Sequence, residues 1–229
     1  MVAKLVGSAV DYLLGGPTVG GASEVRLRRW LALPEPQLAL PHARARYVVV
    51  ATETTGAGAR RDRLPAIGAA GVTRLQLDLA DCFAVELHSQ RASVEAGTPG
   101  RGGGDQAQPG GVEPPLGLLD FLEYLGRAPL VAFEAGTTRK DVEHAMKSVL
   151  GVPFRHPWID LGALLTTLFP QDEGATLRAW LERFGLAAAA RHDALGNAFA
   201  TAQLLQIVLV AADRVGSTSA AHLMAKQRA

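Results

Sequence analysis

The sequence lacks most of the features that would assign it to a class directly. It has one cysteine, Cys82, in 229 residues. That excludes an internal disulfide and fits a reducing, cytoplasmic setting, with the thiol read as a small buried hydrophobe. Charge of one sign is missing too: 23 Lys and Arg stand against 22 Asp and Glu, a formal net charge of +1. No global basic field therefore marks the chain for nucleic acid, although charge gathered locally can still do so. A clean membrane-spanning run is absent as well. Residues 194–212 are mostly apolar, but Gln203 and Gln206 interrupt them, and a buried core helix is expected there. The apolar stretch after Lys4 is broken by Asp11 with no small-residue cleavage site, so neither a signal peptide nor a membrane partner is expected.

What is present is a globular composition, 48% hydrophobic and 20% charged, enough for one ordinary domain with extensions. Residues 1–45 read as a helical N-terminal extension docked on the core. It contains a weak amphipathic helix over 2–14 and a short helix over 23–31 with Ser23 as N-cap. Trp30, Leu31 and Leu33 need cover, and Pro34, Pro36 and Pro41 make an extended connector. The main domain spans 46–212. Tyr47–Val50 is apolar at every position, which suits a central strand covered on both faces. A second strand is expected from Leu64 to about Val72, and a hairpin partner from two pieces, 74–79 and 83–88.

Residues 95–115 hold 7 of the 25 glycines and almost nothing apolar, so they are expected to form a mobile loop. Further on, helices are expected over 116–125, 138–150, 161–168, 177–184 (Thr176 as N-cap, Gly185 ending it) and 194–212. Strands are expected at 129–133 and 157–160, with Asp160 as a strand-to-helix N-cap. Residues 213–229 are expected to be a frayed C-terminal tail.

The most informative stretch is the strand end Ala51-Thr52-Glu53-Thr54-Thr55-Gly56, followed by Arg61-Asp62-Arg63 and Ala66-Ile67-Gly68. It resembles the first motif of the DEDDh 3′–5′ exonucleases, the DnaQ-like family of polymerase III epsilon-type subunits and ribonuclease T. A second match is His192-Asp193-Ala194-Leu195-Gly196-Asn197-Ala198, similar to the family's last motif. The resemblance implies an α/β, ribonuclease-H-like fold with a mixed central sheet flanked by helices. It also implies a two-metal phosphodiesterase site with four acids and a histidine base.

This sequence departs from that pattern in its acids. The first acid position is Ala51. The second is Glu53, retained. The third motif aligns with Phe133-Glu134-Ala135-Gly136-Thr137-Thr138 and places Thr138 at the acid. The last acid is Asn197, and the histidine survives as His192. Glu53 and His192 are thus the catalytic remnants the resemblance implies. Thr54, Thr55, Gly56 and Phe133 are its substrate-binding positions, and Glu53 alone is a weak metal ligand at most. Read without the resemblance, Glu53 is a polar strand-end residue bonded to the Thr54–Gly56 turn, and His192 is a surface or helix-start histidine. Magnesium needs several hard oxygen ligands, and two ions about 4 Å apart need a carboxylate cluster. A shift of one helical turn, from Thr138 to Asp141, moves a ligand about 5.4 Å.

The leading expectation is a catalytically degenerate exonuclease-fold protein, a binding or regulatory module with no cofactor. Its partner is single-stranded nucleic acid, a nucleotide or a protein. One alternative is an active exonuclease using Glu53, His192 and recruited groups with Mg²⁺ or Mn²⁺. Another is a small-nucleotide receptor.

Overall fold

The computed structural model describes residues 19–53, 64, 66–87, 111–170, 176–187 and 193–227. Strand β1 (Arg46–Glu53) is central. It pairs antiparallel with β2 (Ala66–Thr73), which pairs antiparallel with β3 (Gln76–Glu86). On its other side β1 runs parallel to β4 (Leu130–Ala132), and β4 runs parallel to β5 (Trp158–Asp160). The order β3-β2-β1-β4-β5 is a mixed sheet flanked by helices, the α/β ribonuclease-H-like arrangement.

Alternation along β1 explains its unbroken apolar run, because each face meets a different helical layer. Val48 and Val50 pack with Leu118, Phe121 and Met146, from α2 (Pro114–Leu125) and from a single π turn (Met146–Leu150) that continues α3 (Ala135–Ala145). Tyr47 and Val49 pack on the opposite face. That layer is built by α4 (Leu161–Leu168), α5 (Leu177–Arg183), α6 (Ala194–Arg214) and α7 (Ala220–Lys226). Helix α6 is long and apolar enough to cross a membrane by length and composition, yet ten of its residues, Leu204, Leu205, Val208 and Leu209 among them, are buried inside the protein.

Several elements differ from the expectations. The two pieces of the third strand are one, β3, because the polar interruption is absorbed in a bulge. Ala70 pairs with Cys82 and Val72 with Leu77, so Gly71 alone faces residues 78–81. The Asp81 carboxylate sits over Gly71, where a Cβ would collide with it, and is held by a two-pronged bond from Arg46 at 2.8 Å. Helix α3 begins at Ala135 rather than 138, because its N-terminal amide is satisfied from a distance: Ala135 N–H donates to Asp160 Oδ2 at 3.0 Å.

At the C-terminus, α7 replaces the expected frayed tail. Leu223 is fully buried, and Ser219 caps the helix and bridges to Pro41. The Gln227 amide closes the outer edge of β5, accepting from Asp160 N–H and donating to the Trp158 carbonyl.

In the N-terminal segment, α1 (Ala22–Leu31) is preceded by Gly21, not capped by Ser23. Leu27 and Trp30 are buried, whereas Val25, Leu31 and Leu33 are exposed. Trp30 stacks on Phe154 and lies under the Arg127 guanidinium, 4.3 Å from its centre. Of the expected mobile loop, residues 95–110 lie outside the described residues. Val112 bridges Leu87, and Pro114 and Pro115 open α2. The expected 2–14 helix also lies outside them.

Two histidines are built into this framework uncharged. His42 is buried. Its Nδ1 accepts from the Tyr47 hydroxyl and its Nε2 donates to the Ser217 carbonyl, both at 2.7 Å. His156 donates Nε2–H to the Ala128 carbonyl at 2.7 Å and stacks on Phe154. Burial lowers both imidazole pKa values. The folded state therefore binds fewer of these protons than the unfolded chain. Their contribution to stability is full above about pH 6.5 and is lost as pH falls through the depressed values. The melting temperature should drop as pH is lowered from about 7 to about 5, and His42→Gln or His156→Gln should each flatten the fall. A profile unchanged in both variants would contradict this.

Candidate functional site at the carboxyl end of the central strand

Ala51 and Glu53 follow Tyr47 and Val49 on the face of β1 that looks toward α6. Ala51 pairs with Gly68, and Glu53 with Ala66. Gly68 is where the helix comes in: a Cβ there would collide with the backbone of Ala194 and Leu195. The Ile-Gly of the first motif thus has a physical reason, the close approach of β2 to the first turn of α6.

That approach brings the helix start within reach of the strand end. Glu53 Oε1 accepts from the Ala194 amide at 2.9 Å, and Asp193, the N-cap, accepts from Gly196 N–H at 2.6 Å. Two carboxylates therefore serve free amides at the positive end of the helix. The bond from Glu53 spans 141 residues of sequence, and nothing local to the strand foretells it. The turn Thr54–Gly56, expected to hold this carboxylate, lies outside the described residues, as does His192.

The other face of the strand end meets α3. Thr52 donates to Asp141 Oδ2 at 3.3 Å, so Asp141, one turn beyond Thr138, does reach the end of β1, but on the side opposite Ala51 and Glu53. Asn197 lies in the first turn of α6, half-buried, and its carbonyl accepts from Thr201. Phe133 directly follows β4 and its carbonyl accepts from Gly162 N–H. Asp160, read from sequence as an N-cap, takes that role on α4 by accepting from Ala163 N–H. Its second oxygen serves Ala135 of α3. Beside them an open pocket of about 430 Å³ is lined by Phe133, Glu134, Gly136, Thr137, Asp160 and Thr166. Glu134 thus stands at a pocket mouth, as its place after β4 suggests.

These residues do not fit a pair of divalent ions. Ala51 offers no ligand atom, Thr138 and Asn197 offer no charge, and one oxygen of Glu53 is bonded to an amide. Among the described residues no three His, Cys, Asp or Glu side chains converge as a metal site. Aspartate at Ala51 would lie on the same face as Glu53 and complete the first pair of an acid cluster.

Neither a protein-family model nor a curated protein sequence matches the chain. Among solved structures it is similar to cell-death related nuclease 4, with TM-score 0.54, 15% identity, and coverage of 77% of this chain and 67% of that one. It is also similar to exonuclease X in complex with 5′-overhanging duplex DNA, with TM-score 0.51, 17% identity, and coverage of 79% and 99%. A third is E. coli exonuclease I in complex with a dT13 oligonucleotide, with TM-score 0.53 and 13% identity. There the match covers 76% of this chain but only 43% of the longer one. The chain has the 3′-exonuclease fold.

Removing the Glu53 carboxylate should loosen the β1–α6 contact. Glu53→Ala is expected to cost about 1 kcal/mol in chemical denaturation, the usual loss for a helix-start acceptor, and Glu53→Gln less, because its amide oxygen can still accept. Equal stability in the alanine variant and the parent would count against this role. Gly68→Ala should cost about 1–3 kcal/mol by forcing α6 away from the sheet. An unchanged midpoint would show that the helix gives way freely.

Proposed function

We propose that this chain is a catalytically degenerate member of the 3′–5′ exonuclease fold and acts as a module that binds single-stranded nucleic acid without hydrolysing it. The observation that carries this reading is the state of the strand end. The one acid retained in the motif, Glu53, is engaged by the Ala194 amide, while Ala51, Thr138 and Asn197 bring no charge to hold an ion. The rival active-exonuclease reading would have to recruit Asp141 or Glu134 with Mg²⁺ or Mn²⁺. Asp141 is bonded on the opposite face, and Glu134 lines a pocket between α3 and α4. Nucleic acid as partner is supported by neighbours of the same fold seen with duplex DNA and with an oligonucleotide. A small-nucleotide receptor would have to use the open pocket of about 430 Å³ beside Phe133 and Thr137.

Incubating the parent with a labelled single-stranded oligonucleotide and Mn²⁺ should leave the oligonucleotide intact, with a gel shift that persists in EDTA. Degradation that depends on Mn²⁺ and disappears in His192→Ala would overturn the proposal in favour of the enzyme. A shift in melting temperature with mononucleotides, without any gel shift, would favour the receptor. The triple variant Ala51→Asp, Thr138→Asp, Asn197→Asp should be less stable than the parent without metal, because its carboxylates repel one another and Glu53. Mn²⁺ should then raise its melting temperature and leave the parent's unchanged. A folded triple variant indifferent to Mn²⁺ would mean that these positions do not converge.

A further inference from the structure

Several arginines among the described residues are neutralised where they stand. Arg26 is paired with Asp120 and Glu123, Arg28 with Glu24, Arg139 with Glu143 and Arg178 with Glu182. The outer face of α3 carries three basic side chains that are not. Lys140, His144 and Lys147 are all exposed, and none makes an ion pair among the described residues. At about 100° per residue, slightly less through the π turn that carries Lys147, they fall within about 50° of one line along the helix, which also passes Gly136 and Glu143, the latter paired with Arg139. The buried residues of this helix, Ala135, Val142 and Ala145, lie off that line, and Asp141 is turned toward Thr52.

Gly136 and Thr137 line the open pocket at the carboxyl ends of β4 and β5, so the basic line runs directly out of that pocket. From Gly136 to Lys147 it covers roughly 16 Å, long enough to follow more than one phosphate of an extended strand. Ammonium groups on long flexible stems, not ion-paired in place, suit contact with a phosphodiester backbone, which needs charge rather than base-specific geometry.

We propose that the exposed Lys140–His144–Lys147 face of α3 is the track along which a single-stranded nucleic acid backbone lies as it leaves the pocket beside Phe133 and Thr137. The track rests on the nucleic-acid-binding reading and adds its location. It needs no metal ion, because lysines meet the phosphates directly.

The test is fluorescence anisotropy of a labelled oligothymidylate with the full chain in EDTA, across a salt series. The double variant Lys140→Gln, Lys147→Gln should bind roughly tenfold more weakly at low salt. The slope of log affinity against log salt should be shallower by about 1.4, the loss of two phosphate contacts on a single strand. Lys140→Arg, Lys147→Arg should restore both. Arg178→Gln, which removes a positive charge elsewhere on the surface, should change neither. If the parent binds and the double glutamine variant matches it in affinity and slope, the track is wrong and the binding module stands. If the parent does not bind the oligothymidylate at all, the module reading falls and takes the track with it.

Discussion

The contact between the end of β1 and the start of α6 is the constraint on which the site depends. It combines two things that need each other. Gly68 lets the backbone of Ala194 and Leu195 reach the sheet, and the Glu53 carboxylate then meets the amide that this approach exposes. A helix N-terminus left bare against a sheet carries unsatisfied amides and partial positive charge. Here the nearest strand residue and the N-cap Asp193 satisfy both. In a site with four acids the same carboxylate would be balanced by cations. In this one the helix is its counter-charge, which gives Glu53 a structural role, while Ala51, Thr138 and Asn197 carry no charge.

A second carboxylate, Asp160, does similar work at the end of β5, two strands away, serving the N-termini of α3 and α4 together. The carboxyl edge of the sheet is thus held by acid-to-amide bonds at two points, on either side of β4. Acids at strand ends are often read as ligands or catalysts, and both of these are occupied in holding helices. The unpaired charge on the outer face of α3 is positive, while Glu134 stands at the mouth of the pocket beside it.

How much of this the sequence discloses depends on how local each cause is. The apolar run Tyr47–Val50, the Thr176 and Asp160 caps and the polar interruptions in residues 194–212 are local signals, and the corresponding elements stand where they place them. The fold was legible because motif fragments at both ends of the domain agreed with this β-then-α order. Causes from far along the chain were not legible. The start of α3 is set by Asp160, 25 residues on, and the partner of Glu53 lies 141 residues away. The C-terminal helix is held by Leu223 and by the Gln227 amide against β5, contacts that the short tail does not announce. The exposure of Val25 and Leu31 shows the converse limit, since a short apolar pattern does not say which of its members finds cover.

The account stands on the claim that the strand end of the native chain has no site for paired divalent ions. Calorimetric titration of the parent chain with Mn²⁺, run beside Glu53→Gln, tests it most directly. The account predicts no saturable binding in either protein at millimolar metal. Saturable uptake of two ions per chain by the parent, weakened in Glu53→Gln, would contradict it.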